Sequence, residues 1–288
     1  MECADRTVQI IDNKGAERHL RATSAALRQG FEGGCTAVVM STCGPGSQIV
    51  IGGDARLVSA VGRDGLVRHV ALTTSCCGRS VPMSVYTSET VNLVHREAGV
   101  RHAPDVHTER VMRADRQCDH YSVRIDDILF LACINLGPDS RAIAALLALF
   151  KLCSGRLACL FTLSRLLADW RRDEIEIVCQ DRTQVCEAFY VVKQRNYAGP
   201  WSFAPEARLG LQLLHVVTLE RARRRDFVRL VWALLRTRQI DALPGVTAFS
   251  CTDSTATATQ RLPVQPDEYV VTHLPAEFQL SPELLQSR

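Results

Sequence analysis

Asn196-Tyr197-Ala198-Gly199-Pro200-Trp201-Ser202-Phe203-Ala204-Pro205-Glu206-Ala207-Arg208-Leu209 is the stretch on which the reading of this chain turns. Its Gly-Pro pair interrupts regular structure and marks a loop. A strand, Leu213 to Leu219, follows it, then a helix from Ala222 to Arg238, then a Leu243-Pro244-Gly245-Val246 turn. In the helix Phe227, Leu230, Val231, Leu234 and Leu235 recur at i, i+3, i+4, i+7 and i+8, an amphipathic stripe, and Arg223, Arg224, Arg225, Arg229 and Arg236 occupy the other face. Upstream, Tyr121–Ile125, Leu129–Ile134, Glu174–Val178 and Ala188–Val192 are strand candidates in series, which predicts an antiparallel sheet or sandwich. Between them, Arg141 to Trp170 reads as an apolar helix broken near Ser154-Gly155.

The N-terminal part has a different rhythm. Thr7–Ile11, Thr36–Met40, Gln48–Ile51 and Leu66–Thr73 read as strands, with helices at Arg18–Arg28 and Glu89–Ala98. Alternation of this kind predicts an α/β domain with a mostly parallel sheet. Ala103 to His120 is polar and irregular and reads as a boundary, giving a domain over residues 1–120 and a β-rich, sandwich-like domain over 121–288.

With 288 residues, 47% of them hydrophobic and 23% charged, the chain can fill a core of its own. All but three of its 34 basic residues are arginine, yet the formal net charge is only +3 and no basic-aromatic pattern appears, so nucleic acid is excluded as a partner. The twelve cysteines are scattered, without a Cys-x-x-Cys pair, and no charged-then-apolar leader follows Met1. We expect a cytoplasmic protein with reduced thiols. The apolar region 142–170 is interrupted by Lys151, Arg156 and Arg165, short of the ~20 uncharged residues of a bilayer-spanning helix. The arginine face of the 222–238 helix reads as a solvated surface, with peripheral contact to anionic lipid headgroups the functional alternative.

Two segments carry candidate chemistry. Ile49-Val50-Ile51-Gly52-Gly53-Asp54 is an apolar run ending in two glycines and an acid; glycines let backbone amides approach a phosphate, and the acid can support a metal ion. Asp139, in Asn135-Leu136-Gly137-Pro138-Asp139, reads from the residues alone as a cap of the helix starting near Arg141.

Read together with the opening stretch, these segments resemble the diacylglycerol/sphingosine-type lipid kinase family. Gly52-Gly53-Asp54 is similar to the start of its Gly-Gly-Asp-Gly-Thr motif, and Val70 to Gly78 stands where the family keeps Pro-x-Gly-Thr-x-Asn-Asp. Phe130 to Asp139 resembles its Phe-x-Asn-x-x-Gly-x-Gly-Phe-Asp-Ala segment, Ser154 to Leu163 its Leu-Gly-x-Leu-Ala-Tyr helix, and Asn196 to Ala207 its Asn-x-x-Tyr-x-Gly-Gly-x-x-x-Ala-Pro-x-Ala loop. The resemblance implies a two-domain lipid kinase fold and ATP-dependent phosphoryl transfer to a lipid hydroxyl with Mg2+. It implies that Gly52, Gly53, Asp54, Thr74 and Ser75 line the nucleotide, with Asp54 and Asp139 catalytic. An NAD kinase relative would share only Gly52-Gly53-Asp54.

Several positions depart from the pattern. Ala55 and Arg56 stand where the motif keeps its closing Gly-Thr, and Cys76-Cys77-Gly78 lacks the Gly-Thr-x-Asn signature. Leu211-Gln212 and His215 stand where the family carries the acids of Asp-Gly-x-Leu-Asp, and Asp267-Glu268 lacks the glycine of its Asp-Gly-Glu. Loss of acids weakens the electrostatic support of phosphoryl transfer. The alternative function is therefore an inactive homologue acting as a lipid-binding or protein-interaction module.

Overall fold

The computed structural model describes residues 7–13, 18–42, 48–62, 64–87, 103–114, 118–125, 128–137, 170, 172–180, 182–197, 201–236, 239–260, 262–266 and 272–287. The helices expected at 89–98 and 141–169, Asp139, and the Asp267-Glu268 pair lie outside these residues. The chain divides into unit 1, Met1–Ser122 with Ser281–Arg288, and unit 2, Val123–Leu280.

Unit 1 is built on parallel strands β1 (Thr7–Asn13), β2 (Thr36–Thr42), β3 (Ala55–Val61) and β4 (Met83–Tyr86), in the order β2-β1-β3-β4. Helix α1 (Arg18–Glu32) returns the chain from β1 to β2, and α2 (Asp64–Cys76) from β3 to β4. Such crossovers are right-handed, so two that leave the sheet centre in opposite directions cover opposite faces. The packing agrees. Leu27 and Phe31 of α1 meet Val8, Ile10, Leu57 and Val61, together with Val111 of a third helix, α3 (Pro104–Arg113).

Two expectations for this unit fail. Residues 48–51 form no strand; the strand starts at Ala55, after the glycines. Leu66 to Thr73 is helix, not strand. Its buried positions are Val67, Val70, Ala71 and Thr74, an i, i+3, i+4, i+7 stripe that a period-two reading misses. The irregular 103–120 region holds α3 and the first residues of β5 (Cys118–Ile125). Unit 1 also takes in the end of the final strand, β16 (Ala276–Ser287), where Ser287 pairs in parallel with Met83.

Unit 2 is a β-sandwich. One sheet joins β8 (Ile175–Cys179), β9 (Arg182–Cys186), β13 (Asp253–Ala258) and the start of β16, with β5 and β6 (Ile128–Phe130) beside them. The second runs β12-β11-β10-β7-β14-β15, from β12 (Val246–Cys251) through β11 (Leu214–Leu219), β10 (Ala188–Val192), β7 (Cys133–Leu136) and β14 (Pro263–Pro266) to β15 (Thr272–His273). The expected strand over 129–134 is thus two, β6 and β7, separated by Leu131-Ala132.

Alternation along β10 explains the layering. Phe189 and Val191 enter the inter-sheet core with Leu214, Val216, Ile175, Ile177 and Phe278. Ala188, Tyr190 and Val192 face the other way, onto Tyr197, Phe203 and helix α4 (Arg224–Leu235). A strand buried on both faces needs no polar alternation, which is why AFYVV is continuous. Among the described residues, no helix is long and apolar enough to cross a membrane.

Candidate functional site

In an open parallel sheet, ligands bind beyond the carboxyl ends of the strands where the strand order reverses direction. Here that point lies between β1 and β3. Register places Ser41, Asp12, Val61 and Tyr86 in one row across the sheet. The next residues, Thr42, Asn13, Gly62 and Thr87, form its carboxyl edge. Asp12 is buried there and accepts a 2.5 Å hydrogen bond from Ser41 Oγ, while Thr42 Oγ1 donates to the Asp12 carbonyl at 3.2 Å. Gly62 N–H donates to Tyr86 O at 3.1 Å, tying the β3 and β4 ends together.

From Gly62 the chain passes through Arg63 into α2, whose first residues are Asp64 and Gly65. A strand ending in glycine and leading into a 13-residue helix presents backbone N–H groups and the positive end of the helix dipole to an anion. A side chain at Gly62 would press on Leu66, its Cβ lying 2.9 Å from Leu66 Cδ2. The geometry therefore points to Gly62 and the Asp64-Gly65 start of α2 as the candidate phosphate-facing residues.

Gly52-Gly53-Asp54 lies at the amino end of β3, away from the carboxyl edge. Asp54 and Gly53 are exposed, and the turn is already committed to structural partners. Gly52 N–H donates to Gln9 Oε1 at 2.9 Å while Gln9 Nε2 donates to Val50 O at 2.7 Å. The Arg79 guanidinium donates to the carbonyls of Gly53 at 2.6 Å, of Ala55 at 3.2 Å, and of Gly52. Thr74 and Ser75 sit in the last turn of α2, where Thr74 Oγ1 donates to Val70 O and Ser75 Oγ to Ala71 O and Leu72 O. Neither group is brought to the carboxyl edge. Of the residues directly after β4, Thr87 is described, and it is buried at that edge.

Within unit 2, the opening stretch is anchored by its aromatics. Tyr190, Tyr197 and Phe203 are buried against one another, with centroids 4.3–6.2 Å apart. Behind them Lys193 has no solvent exposure, and its ammonium donates to the carbonyls of Arg208 at 3.1 Å, Leu209 at 3.1 Å and Leu211 at 2.6 Å. One cation thus satisfies three carbonyls of a loop outside regular structure. Sequence reading missed Lys193; a lone lysine ending the apolar run 188–192 was the available signal.

Beside it, His215 Nδ1 lies 3.0 Å from Ser250 Oγ and 3.4 Å from Glu206 Oε1. Burial holds its pKa below the ordinary histidine range, with Glu206 opposing and the Lys193 charge adding to the shift. Serine and carboxylate reach the same ring nitrogen, whereas a nucleophilic triad needs them on opposite nitrogens. The arrangement is not a hydrolytic one.

A magnesium ion takes carboxylate and water oxygens in an octahedral shell. The loop 208–215 offers it Leu211, Gln212 and the His215 imidazole over the Lys193 ammonium, and among the described residues no three acidic, histidine or cysteine side chains are grouped to hold a metal. This part of unit 2 does not fit Mg2+. The unit 1 edge, where Gly62 leads to the amino end of α2, does fit a phosphate.

Comparisons agree with this architecture. Residues 132–287 match the family model described as the YegS C-terminal NAD kinase beta sandwich-like domain. Among solved structures, a candidate diacylglycerol kinase from Bacillus anthracis str. Sterne superposes with a TM-score of 0.73 at 12% identity, covering 98% of this chain and 97% of that one. A diacylglycerol kinase structure from the same organism gives 0.68 at 10% identity, covering 98% and 96%. At such identity the likeness is one of fold. No curated protein matches by sequence.

Proposed function

From the premise that the chain belongs to the YegS C-terminal NAD kinase beta sandwich-like family, of the diacylglycerol and lipid kinase type, we propose that it is a nucleotide-binding lipid kinase homologue whose role is lipid binding rather than magnesium-dependent lipid phosphorylation. The observation that carries this reading is the buried Lys193 ammonium beneath residues 208–211, where an acidic loop would be needed. A loop whose carbonyls are committed to an ammonium supplies none of the carboxylates that a magnesium ion takes in phosphoryl transfer. Nucleotide binding is supported separately, by Gly62 and the α2 amino end at the β1/β3 switch point. Bound ATP would supply an electrophilic γ-phosphoryl. The residues of unit 1 would hold its phosphates: the amides of Asp64 and Gly65 at the amino end of α2 donate, and Asp12 keeps Ser41 and Thr42 oriented along the same edge.

The test has two arms. ATP in the presence of EDTA is expected to raise the melting temperature, since ligand at about 100 times its Kd stabilises by ~2.7 kcal/mol. Gly62→Val should abolish the shift and Asp54→Ala should leave it intact. In the second arm, γ-labelled ATP with magnesium and a mixed lipid extract is expected to give no labelled lipid. No thermal shift at millimolar ATP would sink the nucleotide half of the reading, and labelled lipid would sink the other half.

A second reading, ATP-dependent transfer to a diacylglycerol- or sphingoid-type hydroxyl, draws on the same Gly62 and amino end of α2. Magnesium-dependent labelling of a lipid is the result that would establish it.

A further inference from the structure

Helix α4 carries two apolar faces, of which one is buried among the described residues of unit 2 and the other is exposed. Phe227, Leu230, Ala233 and Leu234 are buried in unit 2, and the entry to the helix is fixed at Ala222, whose N–H donates to Glu187 Oε2 and whose carbonyl accepts from Trp170 Nε1, both at 2.7 Å. On the opposite side Val228, Trp232 and Leu235 are 60%, 54% and 38% exposed. Their i, i+4, i+7 spacing stacks them in one line along the helix. A surface helix ordinarily presents polar residues there.

The surroundings of that line are cationic. At 100° per residue, Arg225, Arg229 and Arg236 run along one flank and Arg224 along the other. The Arg236 guanidinium lies over the Trp232 ring, 4.4 Å from its centroid. Asp226 is the single acid of the helix; it sits toward the buried side and is shared between Arg225 at 3.7 Å and Arg229 at 3.8 Å. The exposed acids nearest in sequence, Glu220 and Asp241, fall beyond the helix ends.

We propose that this outer face of α4 docks on an anionic lipid bilayer, with Val228, Trp232 and Leu235 entering the headgroup–acyl boundary and the flanking arginines pairing with lipid phosphates. Charge complementarity selects the occupant. A ridge of three apolar side chains is too narrow for a stable protein interface, which needs about 800 Å² per partner. A bilayer interface accepts such a ridge, because tryptophan and aliphatic groups partition to that depth while guanidiniums remain among the phosphates. The proposal does not depend on nucleotide binding or on catalytic status.

Co-sedimentation with vesicles tests it, using phosphatidylcholine alone and phosphatidylcholine containing roughly one third phosphatidylglycerol. The chain is expected on the anionic vesicles, not on the neutral ones, and to be released at high salt. Trp232→Ala should weaken partitioning about tenfold, and Arg225→Gln and Arg229→Gln about fivefold each. All three side chains are exposed, so unchanged melting temperatures confirm intact folding. Equal partitioning of the Trp232→Ala variant and the parent, or equal binding to neutral vesicles, would overturn the proposal. So would Trp232-dependent self-association in sedimentation velocity without vesicle binding.

Discussion

Replacing Lys193 with methionine isolates the contribution of its ammonium, because methionine keeps the length and volume of the apolar stem. Three carbonyls lose their donor. That of Leu209 is in a buried hydrogen bond, while those of Arg208 and Leu211 belong to exposed residues that water can reach. An orphaned buried acceptor costs ~1–3 kcal/mol, and two partly hydrated ones add roughly 1 kcal/mol together. Removing a desolvated charge offsets part of this. The expected net loss is about 2 kcal/mol, or roughly 4–8 °C in melting temperature for a unit of this size. Differential scanning calorimetry on Lys193→Met and Lys193→Arg measures it; arginine, which keeps the charge and donors, should recover part of the loss. A methionine variant as stable as the parent would refute the reasoning, since the ammonium would then cost as much to bury as the loop gains from it.

Three further outcomes follow from the geometry. The folded-state pKa of His215 is depressed by burial, so protonation favours the unfolded chain: stability is full above the unfolded value of 6.5 and declines as pH falls below it toward the folded value. Urea titrations between neutral and mildly acid pH should show this decline, and His215→Gln should flatten it. Phe203→Ala empties the centre of the Tyr190–Tyr197–Phe203 cluster and should cost ~3–5 kcal/mol by chemical denaturation. Arg79→Ala frees the carbonyls of Gly52, Gly53 and Ala55 near solvent and should cost about 1–2 kcal/mol, read as a lower urea midpoint with an unchanged slope.

The sandwich was legible because its signals are local. AFYVV, the 175–179 strand with its buried-exposed alternation, and the Tyr197–Leu209 loop each announce themselves within a few residues. The parallel sheet was legible as a class and misread in register. Gly52-Gly53-Asp54 after an apolar run looks like a strand-end turn, but only pairing partners reveal which end of which strand it occupies. Its neighbours, Gln9 and Arg79, are 43 and 27 residues from Gly52. Reading a strand at 48–51 in place of β3 at Ala55–Val61 shifted the reading of the segment after it as well, and Thr74 and Ser75 fall within α2. Lys193 was missed for a related reason: a buried cation is written by the carbonyls around it, and backbone carbonyls leave no mark in a sequence.

The final strand has a consequence for biosynthesis. Its first half, up to Leu280, is counted with the sandwich, and its second half is counted with the N-terminal unit, reaching Met83 through Ser287. A ribosome that has delivered residues 1–122 has not yet supplied every segment of that unit. The first unit to emerge is therefore the last to be completed, and an isolated N-terminal fragment would expose the β4 edge that the returning chain meets.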